Sequence, residues 1–289
     1  LLLALASPEL EVVGISVVTG NTHVDVGGRH ARAVLELVGR TDVPVYRGCV
    51  RPLLREWQNT KLTHGASGLG NAQLPEPTTL LAPRHAVDAL VEAALADPGG
   101  LTLVAVAPLT NIALALRKEP EVARAFESVV VMGGAIRLPG NQTPLAEFNF
   151  AVDPHAARIV FEANLPVTIV PLDVTSQPYF TGEHVDRLTA TSSRAGQLVA
   201  DATEVYMRNR PERDGVRGCF MHDALAVATV VAPDLVSASP AHVAVESTGE
   251  LTLGQCVADF TSPDPNARVA LGVESERFLD LLVERLGRL

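Results

Sequence analysis

Three polar clusters in this 289-residue chain could do chemistry. In PLAEFNFAVDP (144–154), Glu147 and Asn149 stand two apart in an apolar run, soon after Gly140 and Asn141. Alternation at period two reads as a half-exposed strand, with Glu147 and Asn149 on one face and Phe148 and Phe150 on the other. The competing reading is the wall of a pocket that grips a hydroxylated ligand. A second cluster, Thr19-Gly20-Asn21, follows an apolar run, and Asn21 also suits a left-handed turn after glycine. The third, His222-Asp223, opens the helical ALAVATVVA, where a cation ligand beside a proton donor is as natural as a cap. Thr110 and Asn111 read as caps of the helix that they begin. Carboxylates, asparagines and a histidine converging on one place would suit a sugar, whose hydroxyls pair with Asp, Glu and Asn side chains.

Strand-like and helix-like segments alternate so as to position these clusters. Apolar, β-branched strands are expected at 11–18, 43–46, 101–107, 127–134 and 167–174, with helices at 31–39, 84–96 and 110–118. Asp153-Pro154 starts another helix, Asp as cap and Pro at its first position. Residues 182–231 read as mainly helical and 242–273 as short strands, and the amphipathic ESERFLDLLVERL closes the chain. The pattern predicts a single α/β domain over 1–289, an open and mostly parallel sheet flanked by helices. Ligands of such sheets bind beyond the carboxyl ends of the strands, where all three clusters fall.

With 47% hydrophobic residues and only 19% charged, the chain has ample material for one large core. A net charge of −10, without Lys/Arg clusters, argues against nucleic acid as a partner. No apolar run approaches a membrane span, and LLLALA has neither the basic flank nor the cleavage site of a signal peptide. Three widely spaced cysteines suit a reducing compartment, so a cytoplasmic protein is expected. LLLALASPEL reads as the last turns of a buried helix. A parallel βαβ unit needs a strand before its helix, so a first strand and the start of that helix are expected upstream of Leu1.

TLVAVAPLTNIALALR (102–117), VVVMGGA (129–135), GNQTPLAEFNFAVDPHAA (140–157) and HDALAVA (222–228) resemble signature segments of the inosine–uridine-preferring nucleoside hydrolases. VVTGN (17–21) and NARVAL (266–271) are similar to the same family, in its order and over essentially the whole chain. The resemblance implies a Rossmann-like nucleoside hydrolase fold and Ca²⁺-assisted hydrolysis of the N-glycosidic bond of ribonucleosides. It implies Asp223 and the Val106 carbonyl as calcium ligands, and Asn141, Glu147 and Asn149 on the ribose hydroxyls with Asn21 beside them. Phe148 would line the ribose pocket, His222 would protonate the leaving base, and His64, in THGASGLG (63–70), would lie near the base. Dimers or tetramers are also implied.

The family's opening aspartate motif, DxDPGxDDA, which supplies most calcium ligands and the water-activating base, is not among these residues. Asp223 and one carbonyl leave too few oxygens for calcium, so weak or no hydrolysis is expected of these residues alone. A nucleoside- or ribose-binding homologue without turnover, or a hydrolase of another ribosylated compound, is the alternative. The Arg-rich YMRNRPERDGVRG (206–218) falls where the base pocket should be and leaves base preference open.

Overall fold

The computed structural model describes residues 1–57, 65, 68–210 and 212–289. Among the described residues ten strands lie in chain order: β1 (Ile15–Val17), β2 (Val45–Arg47), β3 (Leu101–Ala105), β4 (Phe126–Met132), β5 (Val167–Val170), β6 (Phe180–Thr181), β7 (Gly218–Cys219), β8 (Val236–Val245), β9 (Cys256–Asp259) and β10 (Ala267–Val273). The central six-stranded sheet has the order β3-β4-β5-β10-β8-β9. Its first four strands are parallel, and β8 and β9 add antiparallel. Among the described residues β1 and β2 form a separate parallel pair rather than an edge of that sheet, and β6–β7 is a small antiparallel pair.

The β4 sequence shows why the sheet is covered on both faces. Val129 and Val131 join a core with Leu109, Ile112, Phe150 and Phe161. Val130 and Met132 join another with Leu225, Phe278 and Leu282. Period-two geometry sends neighbours to opposite faces, so a strand apolar at every position must be buried twice. Helices Thr110–Lys118 and Pro154–Phe161 build the first layer, and His222–Val231 and Ser275–Leu286 build the second.

Most expected elements are present, with shifted ends. The 11–18 run is a strand only over Ile15–Val17, and the 31–39 helix starts earlier, at Val24. The run 167–174 divides: Pro171 has no N–H for a ladder, and Leu172–Thr175 turns into a short helix. Asp153 caps the Pro154 helix as expected, accepting from the Ala156 N–H at 3.0 Å. Thr110 and Asn111 do not cap theirs; the cap position is Leu109, without a side-chain bond. Thr110 instead donates to Asp153 at 2.7 Å, and Asn111 ties Cys49 N–H, Ser16 Oγ and the Val17 carbonyl together.

The alternation in 144–154 does not make a strand. Phe148–Val152 is a short helix with Glu147 as its cap residue. The Glu147 carboxylate accepts from the Phe150 N–H three residues on, and the Glu147 carbonyl closes the turn with the Ala151 N–H. Phe150 points into the core, whereas Phe148 joins Glu147 and Asn149 in facing a cleft. All three cysteines are free and buried, and among the described residues no helix is long and apolar enough to cross a membrane.

Candidate active site

A cleft of about 980 Å³ opens at the carboxyl ends of β3 and β4, lined there by Val106 and Met132. Asn141, Glu147, Phe148 and Asn149 form one side of it, with Asn21 from the loop after β1. His222 and Asp223, in the first turn of helix His222–Val231, stand on another. Chain segments more than a hundred residues apart thus present all eight described candidates to one space. His64 lies outside the described residues.

The polar wall is locked from behind. Gly133 and Gly134 follow β4; a Cβ on Gly133 would lie 2.4 Å from the Phe150 ring, and Gly134 takes φ +79°, the left-handed region that favours glycine. This turn aims the Gly134 N–H at Glu147 Oε2, which accepts from it at 3.2 Å and from the Phe150 N–H at 3.3 Å. The Asn149 amide nitrogen donates to the Met132 carbonyl at 3.0 Å, which leaves its oxygen as the acceptor for the cleft. Asn141 Oδ1 accepts from the Phe148 N–H at 2.8 Å, so its NH₂ is the donor on hand.

Burial sets the charge of this wall. Glu147 is 2% exposed, and loss of water pushes its carboxyl up to about 7. The N–H groups of Asn149, Gly134 and Phe150 oppose that push, and the Asp223 carboxylate adds to it. Asp223 is itself pushed up, to about 6, by loss of water around its carboxyl. Its side chain is nevertheless open to water in the cleft, which offsets part of the push. The positive end of its helix also favours the ionised form.

His222 has a partner that sequence reasoning missed. Its Nδ1 lies 2.7 Å from the hydroxyl of Thr175, itself 1% exposed and at the end of the short helix after β5. That bond fixes the orientation of the ring, whose other nitrogen, Nε2, is buried. Tyr206, Asn209 and Arg210, from the 206–218 segment, line the cleft together with Phe220, which lies beyond it; none had been singled out.

Residues 1–280 match the family model of the inosine-uridine preferring nucleoside hydrolases. The chain belongs to this family. It is 38% identical over 291 residues to the pyrimidine-specific ribonucleoside hydrolase RihA of Citrobacter koseri, covering 99% of this chain and 93% of that protein. Its fold matches the purine-preferring ribonucleoside hydrolase of Gardnerella vaginalis with a TM-score of 0.94 at 33% identity. A plant nucleoside hydrolase matches with 0.93 at 30%; each comparison covers 99% of this chain and 93% of the other.

Nucleoside hydrolases are generally metal-dependent. Here the Asp223 carboxylate and the Val106 carbonyl are hard oxygen donors in one cleft, suited in kind to a hard cation. Their number is not sufficient. Ca²⁺ takes six to eight oxygens, and among the described residues no group of three or more His, Cys, Asp or Glu could hold a metal. These residues alone do not amount to a calcium site.

Proposed function

We propose that the chain hydrolyses the N-glycosidic bond of ribonucleosides, holding the ribose on the Asn141–Glu147–Asn149 wall and releasing the base toward His222. One observation carries this reading: a buried carboxylate, held by backbone N–H groups, shares a cleft with a histidine, in a chain of this family.

In this proposal the Asn141 NH₂ donates to a ribose hydroxyl, while Glu147 and the Asn149 oxygen accept from others. Bond cleavage gives the sugar ring oxocarbenium character. The ionised Glu147 carboxylate then interacts more strongly with the ring than in the ground state, which is what accelerates a reaction. Phe148 covers the ring and limits access of bulk water. His222, held by Thr175, gives a proton to the departing base nitrogen. Asp223 and the Val106 carbonyl would supply two of the six to eight oxygens of a calcium ion, which would position the attacking water and ease its deprotonation. The cytoplasm is the proposed compartment, consistent with three free thiols, and a homodimer or homotetramer the proposed assembly.

The test is base release from inosine, uridine and cytidine by the full-length protein with added Ca²⁺. Turnover of at least one is expected. Binding of all three without release would leave a nucleoside-binding protein in place of an enzyme. His222→Ala should slow these nucleosides far more than a nitrophenyl riboside, whose leaving group needs no proton; equal losses would reject the acid role.

A further inference from the structure

Asn21 reaches the cleft from an exposed loop, and among the described residues no hydrogen bond holds its side chain. Its direction is therefore set by the backbone on either side of it. Residues 19–24 close on themselves: the Thr19 hydroxyl accepts from the Val24 N–H at 2.9 Å, and the Gly20 N–H donates to the Thr22 carbonyl at 3.0 Å. The Gly20 carbonyl, which lies in the peptide plane that leads into Asn21, takes a partner from outside the loop. That partner is Trp57, whose indole N–H donates to it at 2.7 Å across 37 residues. The same ring packs edge-on against His23, with centroids 5.8 Å apart and planes at 63°. His23 is a firm backstop, since it is the cap residue of helix Val24–Leu37 and accepts from the Asp25 N–H. Gly20 is also confined by Pro108, whose ring would stand 2.9 Å from a Cβ at position 20. One half-buried side chain that does not itself line the cleft thus holds the residues on both flanks of Asn21.

We propose that Trp57 is a positioning residue for the sugar: by gripping the Gly20–Asn21 peptide it presents the Asn21 amide to the ribose in one orientation. The inference rests on the hydrolase reading above. A peptide unit is planar, so anchoring its oxygen fixes the direction in which the next Cα and its side chain leave it. The indole N–H is a donor with no acceptor capacity, carried on a large rigid ring, so the bond has a single geometry. Without it the Gly20 carbonyl turns to water, and an exposed loop carries Asn21 through orientations that miss the sugar. Small displacements of this kind are costly, because about 1 Å of misplacement near the reacting atoms can lose as much as about 100-fold in rate. Trp57 acts only through Asn21, so its contribution should vanish when Asn21 is removed.

The experiment measures kcat/KM of the full-length protein for uridine and inosine, with added Ca²⁺, in wild type, Trp57→Phe, Asn21→Ala and the double variant. Trp57→Phe should lower both values about 5- to 10-fold and Asn21→Ala about 10- to 30-fold. The double variant should match Asn21→Ala within about twofold, since coupled residues do not add. Trp57 is the only tryptophan of the chain, so protein grown with benzothienylalanine in its place exchanges the N–H for sulfur and keeps the ring. It should show the Trp57→Phe loss. A double variant whose losses multiply would mark Trp57 as merely structural and overturn the proposal. Wild-type activity in the benzothienylalanine protein or in Asn21→Ala would overturn it as well. If wild type releases base from neither nucleoside, the hydrolase reading fails by itself. Calorimetric affinities for uridine in the same four proteins then decide Trp57: losses that do not multiply uphold it, and multiplied losses or no binding overturn it.

Discussion

Replacing Glu147 by Gln should make the protein more stable at alkaline pH and less active, and the stability gain should depend on pH. The side chain is 2% exposed, and burial raises its carboxyl from 4.5 to about 7. Below pH 4.5 the group is neutral in folded and unfolded chains alike and contributes no difference. Between 4.5 and 7 the unfolded chain ionises first, the folded state holds the extra proton, and stability falls as pH rises. Above 7 the cost levels off. A shift of roughly 2.5 units at ~1.4 kcal/mol each gives about 3 kcal/mol. Glutamine has the same shape, retains an oxygen for the Gly134 or Phe150 N–H, and does not titrate. The difference in unfolding free energy between Glu147→Gln and wild type should thus move by about 3 kcal/mol in favour of Gln from pH 4.5 to pH 8. Urea titrations in a metal chelator measure it. Base release at pH 8 should fall about 100-fold, since the neutral amide offers no anion to a cationic ring. A stability difference that is flat with pH would refute the burial argument. A gain in stability with undiminished turnover would refute the ribose role.

Asp153 is fully buried and accepts three hydrogen bonds, from Thr110 Oγ1, Leu53 N–H and Ala156 N–H. Asp153→Ala strands those donors and removes a helix cap, at a cost of about 3–5 kcal/mol in denaturant titration; a loss under about 1 kcal/mol would contradict the assignment. Thr175→Val should lower kcat for nucleosides and alter the acidic or basic limb of the pH–rate profile while leaving KM nearly unchanged, because the residue orients His222 without reaching the ligand. A change in KM alone would point to a different role. Burial pushes the Cys49 thiol up to about 11 and Cys219 to about 12, and Cys256 higher still. A thiol reagent at neutral pH should therefore label the native protein slowly and the denatured one at three sites; rapid native labelling would contradict the packing.

Local pattern carried much of the fold. Strand-like runs in 101–107, 127–134 and 267–273 are apolar at nearly every position because both sheet faces are covered, and that shows without coordinates. The Asp153-Pro154 start is equally local, a cap and a proline adjacent in sequence. The stretch from Glu147 to Val152 misled because one turn of helix is too short to display a 3.6 period, and E-F-N-F satisfies a period of two by chance. The cap at Glu147 decided its conformation, and through it placed Phe148 in the cleft.

Residue type and order brought out Asn21, Asn141, Glu147, Asn149, His222 and Asp223, which lie just past a strand or at a helix start, whereas Val106 and Phe148 came only from the resemblance to the family. Tertiary structure decided what stands behind them. Thr175 reaches His222 across 47 residues, Asn111 reaches Val17 across 94, and Asp153 reaches Leu53 across 100. No periodicity in the chain encodes such pairs, because they arise only when parallel strands bring their carboxyl ends together. The protonation of Glu147 has the same origin: its sequence says carboxylate, and only the removal of water around it holds the proton to about pH 7.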